Sequence, residues 1–318
     1  MKILYHISTL KGIQDTYEGY KYAFKDKGHQ FFTLTNNDDL DSVLWEIQPD
    51  IFITSLNLIK NFSVLYNARK FRLYNTPKNK MKTFMGLVGY DFFEIMVDLI
   101  AGGRIGDVFF DYFPPEYYKN FKEITHCEYQ QILLAANRKY HYPTKPVEKY
   151  KCDIVFLGAN LPKKRDLFKR RLYPLFKKYD VRIYGTGWTL SDRYLLRPLR
   201  KLGLEVYPRT FIPLEDENKV YSSAKICLNL HEVEDTICVN GRTFRIPACG
   251  GFEICDYVPE IREFFNEDEL IMAKTDKEWF ETIDYYMTHE KERKAIQEKG
   301  TFRALKDHTY HNRIEKFL

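Results

Sequence analysis

Short apolar runs that alternate with helical patterns constrain the fold of this chain more than any other feature. Strand patterns at 2–7, 29–34 and 51–56 enclose helix patterns at 17–27 and 40–47. A repeat of strand, helix and strand is typical of a parallel sheet with helices on both faces, so we expect an α/β fold. No G-x-G-x-x-G sequence follows the first strand, which argues against a dinucleotide-binding domain.

A second series of the same kind begins at Cys152. It consists of strand patterns at 153–158, 181–185, 204–208, 226–230 and 252–257, with helix patterns at 163–178, 215–224 and 276–299. The segment 138–150 before it contains two prolines and few apolar residues, and we predict a linker there. We therefore expect two domains, at 1–143 and 150–300. Between 61 and 140, where a helix is predicted at 89–107, the strand order cannot be derived from the sequence.

The composition is that of a mildly basic globular protein. A net charge of +5 and a pI of about 8.6 are unlike those of a dedicated nucleic-acid-binding protein. The basic residues concentrate at 163–178, either as the solvated face of an amphipathic helix or as a contact for an anionic surface. The six cysteines lack metal-ligand spacing, and no apolar run reaches the roughly 18–20 residues that cross a bilayer. We expect reduced thiols, no transmembrane segment and a cytoplasmic location.

The segment 240–260, NGRTFRIPACGGFEICDYVPE, carries the most chemistry. Asn240, Arg242 and Arg245 precede a turn of small residues at 248–251. Arginines beside a helix start suit a diphosphate, and adjacent glycines let a ligand approach the backbone closely. The alternative is a helix that ends in a left-handed glycine with solvated charges around it. These residues alone do not decide between the two.

The same segment resembles the signature of the CgeB-like (spore-protein type) glycosyltransferases, N-x-R-x-F-E-x-x-A-C-G-G followed by D-x-x-P-E. The matching residues are Asn240, Arg242, Phe244, Ala248, Cys249, Gly250, Gly251, Asp256, Pro259 and Glu260. The resemblance continues upstream through Gly158 and Arg165, 180–188 and 221–231, and it covers 150–318. It departs at Arg245, where the family has a glutamate. In related transferases that carboxylate accepts hydrogen bonds from the nucleotide ribose, and an arginine cannot accept one.

This resemblance implies the GT-B architecture, in which two doubly wound Rossmann-like domains enclose an interdomain cleft. A last helix at 301–318 is expected to pack on the first domain. The implied activity is transfer of a sugar from a nucleotide-diphosphate sugar, a UDP-sugar being the expected donor, with retention of configuration and without a metal or cofactor. The acceptor would be a glycan, a protein or a nucleic acid. The alternative, motivated by Arg245, is a catalytically altered member that binds a sugar nucleotide or glycan.

Ligands of open α/β sheets bind beyond the carboxyl ends of the strands, which selects the residues that follow them. The predicted donor-binding residues are Gly158, Asn160, Gly185, Gly187, Trp188, His231, Asn240, Arg242, Thr243, Arg245, Gly250, Gly251 and Phe252. Arg165 and Arg242 are the candidates that stabilise the leaving diphosphate, and 250–252 are the candidates for the sugar pocket. Trp188 could equally be a core residue, and Asp256 could cap a turn.

The first domain is expected to supply the acceptor side and any catalytic base. His6 and Gly12 are the predicted acceptor-side residues, and Asp91 is the predicted catalytic carboxylate. A single histidine at the end of a strand is more often structural. The DDLD sequence at 38–41 resembles a D-x-D metal motif, but its place in a polar turn before a helix favours a helix cap.

Overall fold

The chain forms two compact units in this computed structural model, which describes residues 1–7, 14–59, 69–70, 73–74, 76, 78, 80–87, 106–118, 120–196, 198–199, 210–231 and 239–318. Unit 1 comprises Met1–Leu134 and Tyr310–Leu318, and unit 2 comprises Ala135–Thr309. The change of unit therefore lies at Leu134, before the segment that the sequence predicts as a linker.

Unit 1 is built on a six-stranded parallel sheet in the order β2-β1-β3-β4-β5-β6. The strands are β1 (Lys2–Ile7), β2 (Gln30–Thr35), β3 (Ile51–Ser55), β4 (Lys82–Gly86), β5 (Val108–Asp111) and β6 (Glu128–Gln131). The described helices are α1 (Gln14–Asp26), α2 (Leu40–Ile47), α3 (Leu56–Ile59) and α4 (Phe121–Thr125), with a 3-10 turn at Pro115–Tyr117. The predicted strand at 2–7 and helix at 40–47 are confirmed, whereas β4 and β6 have no counterpart in the sequence prediction.

Local signals explain where the first helices of unit 1 begin and end. Gly28 follows α1 with a φ of +81°, a left-handed conformation that ends a helix without Cβ strain. Asp39 caps α2, because its Oδ1 accepts a hydrogen bond from the backbone N–H of Ser42 at 2.9 Å. The helix-cap interpretation of 38–41 is therefore confirmed.

Unit 2 contains a five-stranded parallel sheet in the order β11-β10-β9-β7-β8. The strands are β7 (Cys152–Leu157), β8 (Val181–Tyr184), β9 (Ala224–Asn229), β10 (Glu253–Asp256) and β11 (Ile271–Ala273). The helices are α5 (Arg165–Leu167), α6 (Glu217–Ser223), α7 (Arg242–Ala248), α8 (Asp276–Thr288) and α9 (Glu290–Asp307), after which α10 (Tyr310–Arg313) returns to unit 1. Shorter 3-10 and π segments lie at Glu148–Tyr150, Pro162–Lys164, Phe168–Leu172, Tyr173–Lys177, Asp192–Leu196, Leu214–Asp216, Pro259–Glu263 and Ile314–Lys316. The sequence pattern at 276–299 is thus two helices, separated at His289.

The basic segment 163–178 packs as an amphipathic run. Its apolar side, which includes Phe168 and Leu172, is buried in the core of unit 2. Two of its basic residues also point inward. Lys164 donates to a main-chain carbonyl beyond the end of β9 at 2.9 Å, and Arg171 donates to Asp276 at 2.6 Å. Lys164 thus holds this run to the end of β9 and Arg171 holds it to the start of α8, so the basic cluster is in part structural.

The segment 138–150 is a packed part of unit 2, which corrects its prediction as a linker. The backbone N–H of Thr144 donates to Ser222 Oγ at 3.0 Å, and that of Val147 donates to Ser223 Oγ at 2.8 Å. Both serines lie on α6, so the segment runs along that helix. The proline content signals an irregular backbone here, and the hydrogen bonds to side chains take the place of regular secondary structure.

The end of the chain packs on the core of unit 1. The ring of Tyr310 fills the space above Gly19, where a Cβ atom would overlap with it. Phe317 is fully buried, and its ring centroid lies 4.8 Å from that of Phe84. The segment in unit 1 begins at Tyr310 instead of the predicted residue 301, because α9 of unit 2 continues to Asp307.

Several predictions lie outside the described residues. These are Gly12, Asp91, the strand at 204–208 and all but the end of the helix at 89–107. Within the part of the chain that the structure describes, no helix is long and apolar enough to cross a membrane.

Candidate functional site

The carboxyl ends of the strands of unit 2 gather most of the predicted site residues. The loops after β7, β8 and β9 carry Asn160, Gly185 and His231, and α7 begins at Arg242 beside them. We call this edge of the sheet the unit 2 rim. Because all five strands are parallel, residues that are far apart in sequence meet here.

Asn229, the last residue of β9, organises the unit 2 rim. Its Oδ1 accepts from Asn240 Nδ2 at 2.8 Å and from Arg242 Nε at 3.0 Å. Its Nδ2 donates to Thr243 Oγ1 at 3.1 Å and to Glu253 Oε1 at 2.8 Å. The amide thus makes all four hydrogen bonds that an asparagine side chain can make. The sequence analysis missed Asn229, although a polar residue that ends an apolar strand is a usable signal.

The guanidinium group of Arg242 is held in the sheet edge. Besides its bond to Asn229, Nη1 donates to the Leu157 carbonyl at 3.0 Å and Nη2 donates to the Leu230 carbonyl at 2.9 Å. It also lies over the Phe156 ring, 5.3 Å from the centroid. Arg242 therefore joins the ends of β7 and β9. A guanidinium group has five N–H donors, so two remain after these three bonds.

The glycines after β7 and β8 are required by the packing of the rim itself. A Cβ atom at Gly158 would overlap with Nη1 of Arg242. Gly185 has a φ of +126°, and a Cβ atom there would overlap with the Gly158 carbonyl. Trp188 braces the same loop, since its indole N–H donates to the Gly158 carbonyl at 2.7 Å and its ring packs on Phe168 at 5.0 Å. Trp188 is thus half-buried against the core, as the alternative interpretation of it proposed.

His231 and Asp256 form a buried pair at the ends of β9 and β10. Asp256 Oδ1 accepts from the backbone N–H of His231 at 2.9 Å and lies 2.8 Å from its Nδ1. Burial opposes ionisation of Asp256, but the hydrogen bonds and the charge of His231 outweigh it and lower the pKa of the carboxyl group. Since the carboxylate accepts from Nδ1, the imidazole directs Nε2 away from Asp256. His231 is 1% exposed, and Nε2 has no hydrogen-bond partner among the described residues.

Two further side chains of the rim have polar atoms that make no hydrogen bond with the described residues. Asn160 is buried, and its Oδ1 has no partner in the described part of the chain. Arg165 is exposed at the start of α5 and makes no hydrogen bond or ion pair with a described residue. Together with His231, these two residues present an acceptor, a cation and an imidazole at one edge.

Glu253 is a buried carboxyl group that the sequence analysis did not select. Its side chain is 3% exposed at the start of β10, and Oε2 has no partner among the described residues. Burial raises the pKa of Glu253 to about 8, against the opposing effects of the Asn229 hydrogen bond and the Arg242 charge. At neutral pH the group is mainly protonated, so Arg242 faces a largely uncharged neighbour.

Arg245, where the chain departs from the family signature, interacts with a different acid. Glu217 at the start of α6 lies 3.3 Å from Nε2 of His141. Burial opposes ionisation of Glu217, but the His141 hydrogen bond and the charge of Arg245 lower the pKa of Glu217 below its usual value. His141 Nδ1 accepts from the backbone N–H of Asn137 at 2.9 Å, which leaves the proton on Nε2 to donate to Glu217.

Three predicted residues lie elsewhere. Helix α7 runs from the unit 2 rim to the opposite edge of the sheet, so the turn of Gly250 and Gly251 that leads into β10 is at the amino ends of the strands. A Cβ atom at Gly250 would meet Pro143, and Phe252 is a buried core residue. The prediction that these three line a sugar pocket at the rim is wrong, because the turn closes the helix on the core.

His6 of unit 1 is engaged on both ring nitrogens. Nδ1 lies 2.9 Å from Thr54 Oγ1, and Nε2 lies 3.1 Å from Asn36 Oδ1. Because the amide oxygen can only accept, Nε2 carries the proton and Nδ1 accepts from the threonine. Burial lowers the pKa of His6 to about 4, so the ring is neutral. Its role as a base is thereby disfavoured, while Gly12 and Asp91 lie outside the described residues. The described part of the chain has no cluster of three metal-ligating side chains.

Comparisons with known proteins agree with this geometry. The sequence profile of a family described as Glycosyl transferase-like matches residues 163–318, about half of the chain. The comparison with curated proteins gave no match.

Several solved structures have the same fold at low sequence identity. Sucrose-phosphate synthase from Thermosynechococcus elongatus aligns with a TM-score of 0.65 and 11% identity over 100% of this chain and 97% of that chain. Anabaena HepE, in complex with UDP and glucose, aligns with a TM-score of 0.63 and 10% identity over 100% of this chain and 98% of that chain. The catalytic domain of starch synthase IV from Arabidopsis thaliana, bound to ADP and acarbose, aligns with a TM-score of 0.64 and 9% identity over 99% of this chain and 97% of that chain. The chain therefore has the GT-B fold of glycosyltransferases, and its second half is similar to the glycosyl transferase-like family.

Proposed function

We propose that this protein is a glycosyltransferase that moves a sugar from a nucleotide-diphosphate sugar to an acceptor hydroxyl, and that unit 2 binds the donor. The observation that carries the proposal is the pair of buried polar atoms at the unit 2 rim, Asn160 Oδ1 and His231 Nε2, that have no partner among the described residues. A buried polar atom without a hydrogen bond costs about 1–3 kcal/mol, and a bound ligand would recover it.

The proposed roles of the rim residues follow from their charge and from their hydrogen-bonding atoms that are not used within the protein. Arg165 is exposed and can approach the diphosphate directly. Arg242 is fixed by three hydrogen bonds and adds positive charge with its two remaining donors. Preorganised cations stabilise charge that develops on a leaving group, because they need no reorganisation during the reaction. Asn160 Oδ1 suits a ribose hydroxyl or a base N–H. His231 suits a phosphate oxygen in its imidazolium form, in which Nδ1 donates to Asp256 and Nε2 carries the second proton.

UDP is the proposed nucleotide, and the proposal extends to the course of the reaction. HepE was solved with UDP and glucose, and the segment 240–260 favours the CgeB-like group. We infer that the sugar is transferred with retention and without a metal, the arginines taking over the neutralisation of the diphosphate. The acceptor would be a glycan, a protein or a nucleic acid. The five described cysteines are free thiols, which agrees with a cytoplasmic location.

A binding panel followed by a hydrolysis assay tests the proposal. Thermal shifts with UDP, GDP, ADP and dTDP should identify one preferred nucleotide, and calorimetry should then give its affinity. We expect Arg165→Ala to weaken that binding by about 2 kcal/mol, the usual contribution of a charged hydrogen bond. Lys169→Ala on the same helical run is the matched control, because that side chain is exposed and pairs with Asp166. Absence of binding to all four nucleotides would overturn the proposal.

The hydrolysis assay separates the enzyme from a catalytically altered member of the family. The latter remains a candidate because Arg245 interacts with Glu217 and cannot act as the family carboxylate. Release of free sugar from the preferred donor in the presence of EDTA would support metal-independent catalysis. Nucleotide binding without any release or transfer would favour the altered member.

The structure weakens the argument for a nucleic-acid acceptor that the basic sequence of 163–178 suggests, because several of its basic side chains are buried or paired. Lys164 and Arg171 face the protein interior, and Arg170 and Lys178 pair with Asp276 and Asp284 at 2.8 and 2.7 Å. These contacts reduce the positive charge available to a phosphate backbone.

A further inference from the structure

Glu253 has a buried carboxyl group that takes no direct part in the proposed donor site. It begins β10 and pairs with Cys227 of β9, two residues before Asn229. Because side chains alternate along a strand, Cys227 and Asn229 lie on the same face of the sheet, and Glu253 shares that face. Glu253 is 3% exposed and lies below the unit 2 rim. An effect of Glu253 on a ligand at the rim therefore has to pass through another residue.

The amide of Asn229 connects Glu253 to Arg242. Asn229 Nδ2 donates to Glu253 Oε1 at 2.8 Å, and Asn229 Oδ1 accepts from Arg242 Nε at 3.0 Å. The guanidinium group gives its other hydrogen bonds to the carbonyls of Leu157 and Leu230, and it does not bond to the carboxyl group. Glu253 and Arg242 thus lie on either side of one amide, close enough for the charge of each to shift the pKa of the other.

The surroundings of Glu253 favour its neutral form. A carboxylate that is buried with one hydrogen bond is less stable than the protonated acid, and Oε2 has no partner among the described residues. Of the charged groups that face it, Arg242 of α7 favours ionisation and Asp256 of β10 opposes it. Burial raises the pKa of the thiols of Cys227 and Cys255 well above its usual value, so both stay uncharged. The neighbouring strand β11 reads IMA and adds no titratable side chain.

The charges around Arg242 are balanced as long as Glu253 is neutral. The described ionisable side chains that act on Arg242 come from α6, α7 and β10, and they are Glu217, Tyr221, Arg245, Glu253 and Asp256. Burial keeps the hydroxyl of Tyr221 protonated by raising its pKa, whereas the pKa of Glu217 and that of Asp256 are lowered. Two arginines thus face two carboxylates. Ionisation of Glu253 would add a third negative charge next to Arg242.

We propose that Glu253 is a positioning residue for donor binding, because its protonated form leaves the charge of Arg242 available to the diphosphate and its ionised form neutralises that charge. This inference rests on the proposed glycosyltransferase activity and adds a dependence on pH to the same site. The diphosphate and the ionised carboxylate compete for one guanidinium group. Proton binding by Glu253 and nucleotide binding at the rim therefore favour each other.

The size of the effect on nucleotide affinity follows from the ionisation of Glu253. With a pKa of about 8, about nine tenths of the unliganded protein carries the ionised form at pH 9. If this form binds the diphosphate much more weakly, the affinity falls by up to about tenfold between pH 6.5 and pH 9. The affinity is thus highest below the pKa and is lost as the pH rises through it.

Nucleotide affinity as a function of pH tests the inference on the full chain. UDP, the proposed nucleotide, is titrated by calorimetry into wild type, Glu253→Gln and Glu253→Met at pH 6.5, 7.5, 8.5 and 9. We expect the Kd of wild type, divided by that of Glu253→Gln, to rise about threefold to tenfold over this range. Protons exchanged by His231 and by UDP affect both proteins and cancel in this ratio. Glu253→Met also cannot ionise, so its pH profile should be that of Glu253→Gln apart from a constant factor.

Proton uptake is a second measurement, which a purely structural role of Glu253 would not change. Calorimetry at pH 8.5 in two buffers with different ionisation enthalpies gives the number of protons that bind together with UDP. Wild type should take up about half a proton more than Glu253→Gln, because bound diphosphate returns the carboxyl group to its neutral form. Glu267→Gln, an exposed glutamate of the same unit, is the control and should match wild type in both measurements.

The outcomes separate this inference from the proposed function. If UDP binds but the ratio of the dissociation constants stays constant or falls with pH, or if proton uptake is equal in wild type and Glu253→Gln, the inference is wrong and the proposed function stands. If neither UDP nor another nucleotide of the panel binds at any pH, the proposed function fails and this inference fails with it.

Discussion

Replacement of Glu253 by glutamine should stabilise the protein in a pH-dependent way. Glu253 Oε1 accepts from Asn229 at 2.8 Å, and a glutamine amide oxygen can keep that bond. Glutamine does not ionise, so the substitution removes the titration of a carboxyl group that is 3% exposed. Its NH2 group takes the place of Oε2, which has no partner among the described residues, and this adds an effect that does not depend on pH. The pH-dependent part of the difference therefore isolates the cost of burying this charge.

The sign and the size of the change in the free energy of unfolding follow from the pKa of Glu253, which burial raises from 4.5 to about 8. A raised pKa means that the folded state binds the proton more strongly than the unfolded chain. The stabilisation from this group is complete below about pH 4.5 and is lost as the pH rises to about 8. About 3.5 pH units at about 1.36 kcal/mol each gives an upper bound of about 5 kcal/mol. We expect most of this titration effect at pH 8, where the unfolded carboxyl is fully ionised and the folded one is half ionised, and almost none of it at pH 4.5.

Urea unfolding of wild type and Glu253→Gln at pH 5, 6, 7 and 8 measures the difference, with tryptophan fluorescence as the signal. Trp188 and the buried Trp279 of unit 2 contribute to it, together with the exposed Trp45 of unit 1. Glu267→Gln, an exposed glutamate of the same unit, is the control and should follow the wild type at every pH. A difference between Glu253→Gln and wild type that stays constant over this pH range would show that Glu253 does not titrate there. If the free energy of unfolding of the wild type rises with pH relative to that of the variant, the carboxylate is paired in the folded state.

Three other substitutions test contacts within unit 2 and within unit 1. Asn229→Asp should lower the free energy of unfolding by about 3 kcal/mol, measured in urea at pH 8, because it removes two N–H donors and adds a charge beside Glu253; an unchanged stability would refute its central role. Gly158→Ala should weaken nucleotide binding about tenfold in calorimetry by displacing Arg242, whereas Gly28→Ala, away from the rim, should not. Phe317→Ala should cost about 3–5 kcal/mol in thermal unfolding through the cavity that it leaves, and a loss below 1 kcal/mol would contradict its place in the core of unit 1.

The regular elements of the fold were predictable because their hydrophobic period is local. The strand at 2–7 and the helix at 40–47 have apolar residues at the spacing of their own secondary structure, and Asp39 and Gly28 mark the helix ends. The strands β4 and β6 are short, and β6 reads EYQQ, which has no apolar alternation. Their place in the sheet is set by pairing with β3 and β5, which is tertiary information.

The site was predictable as a set of residue positions but less so as a set of contacts. Parallel strands bring the residues after their carboxyl ends together, which placed Asn160, His231 and Arg242 correctly at one edge. The sequence does not reveal that Arg242 is fixed by the Leu157 and Leu230 carbonyls, because those bonds depend on the side-chain path through the fold. Gly250 was misassigned because a helix of seven residues carries the chain to the other edge of the sheet before the turn.

Arg245 shows how one substitution can be accommodated by neighbours that the motif does not contain. The half-buried guanidinium group of Arg245 has a counter-charge in Glu217 at the start of α6, whose pKa the charge of Arg245 helps to lower. Glu217 is in turn positioned by His141, which belongs to the segment 138–150 that packs along α6. The acid, the histidine and the arginine thus come from three separate parts of unit 2. For the nucleotide that we propose as the ligand, Arg245 cannot accept a hydrogen bond from the ribose, and Asn160 Oδ1 at the unit 2 rim is the acceptor that we propose in its place.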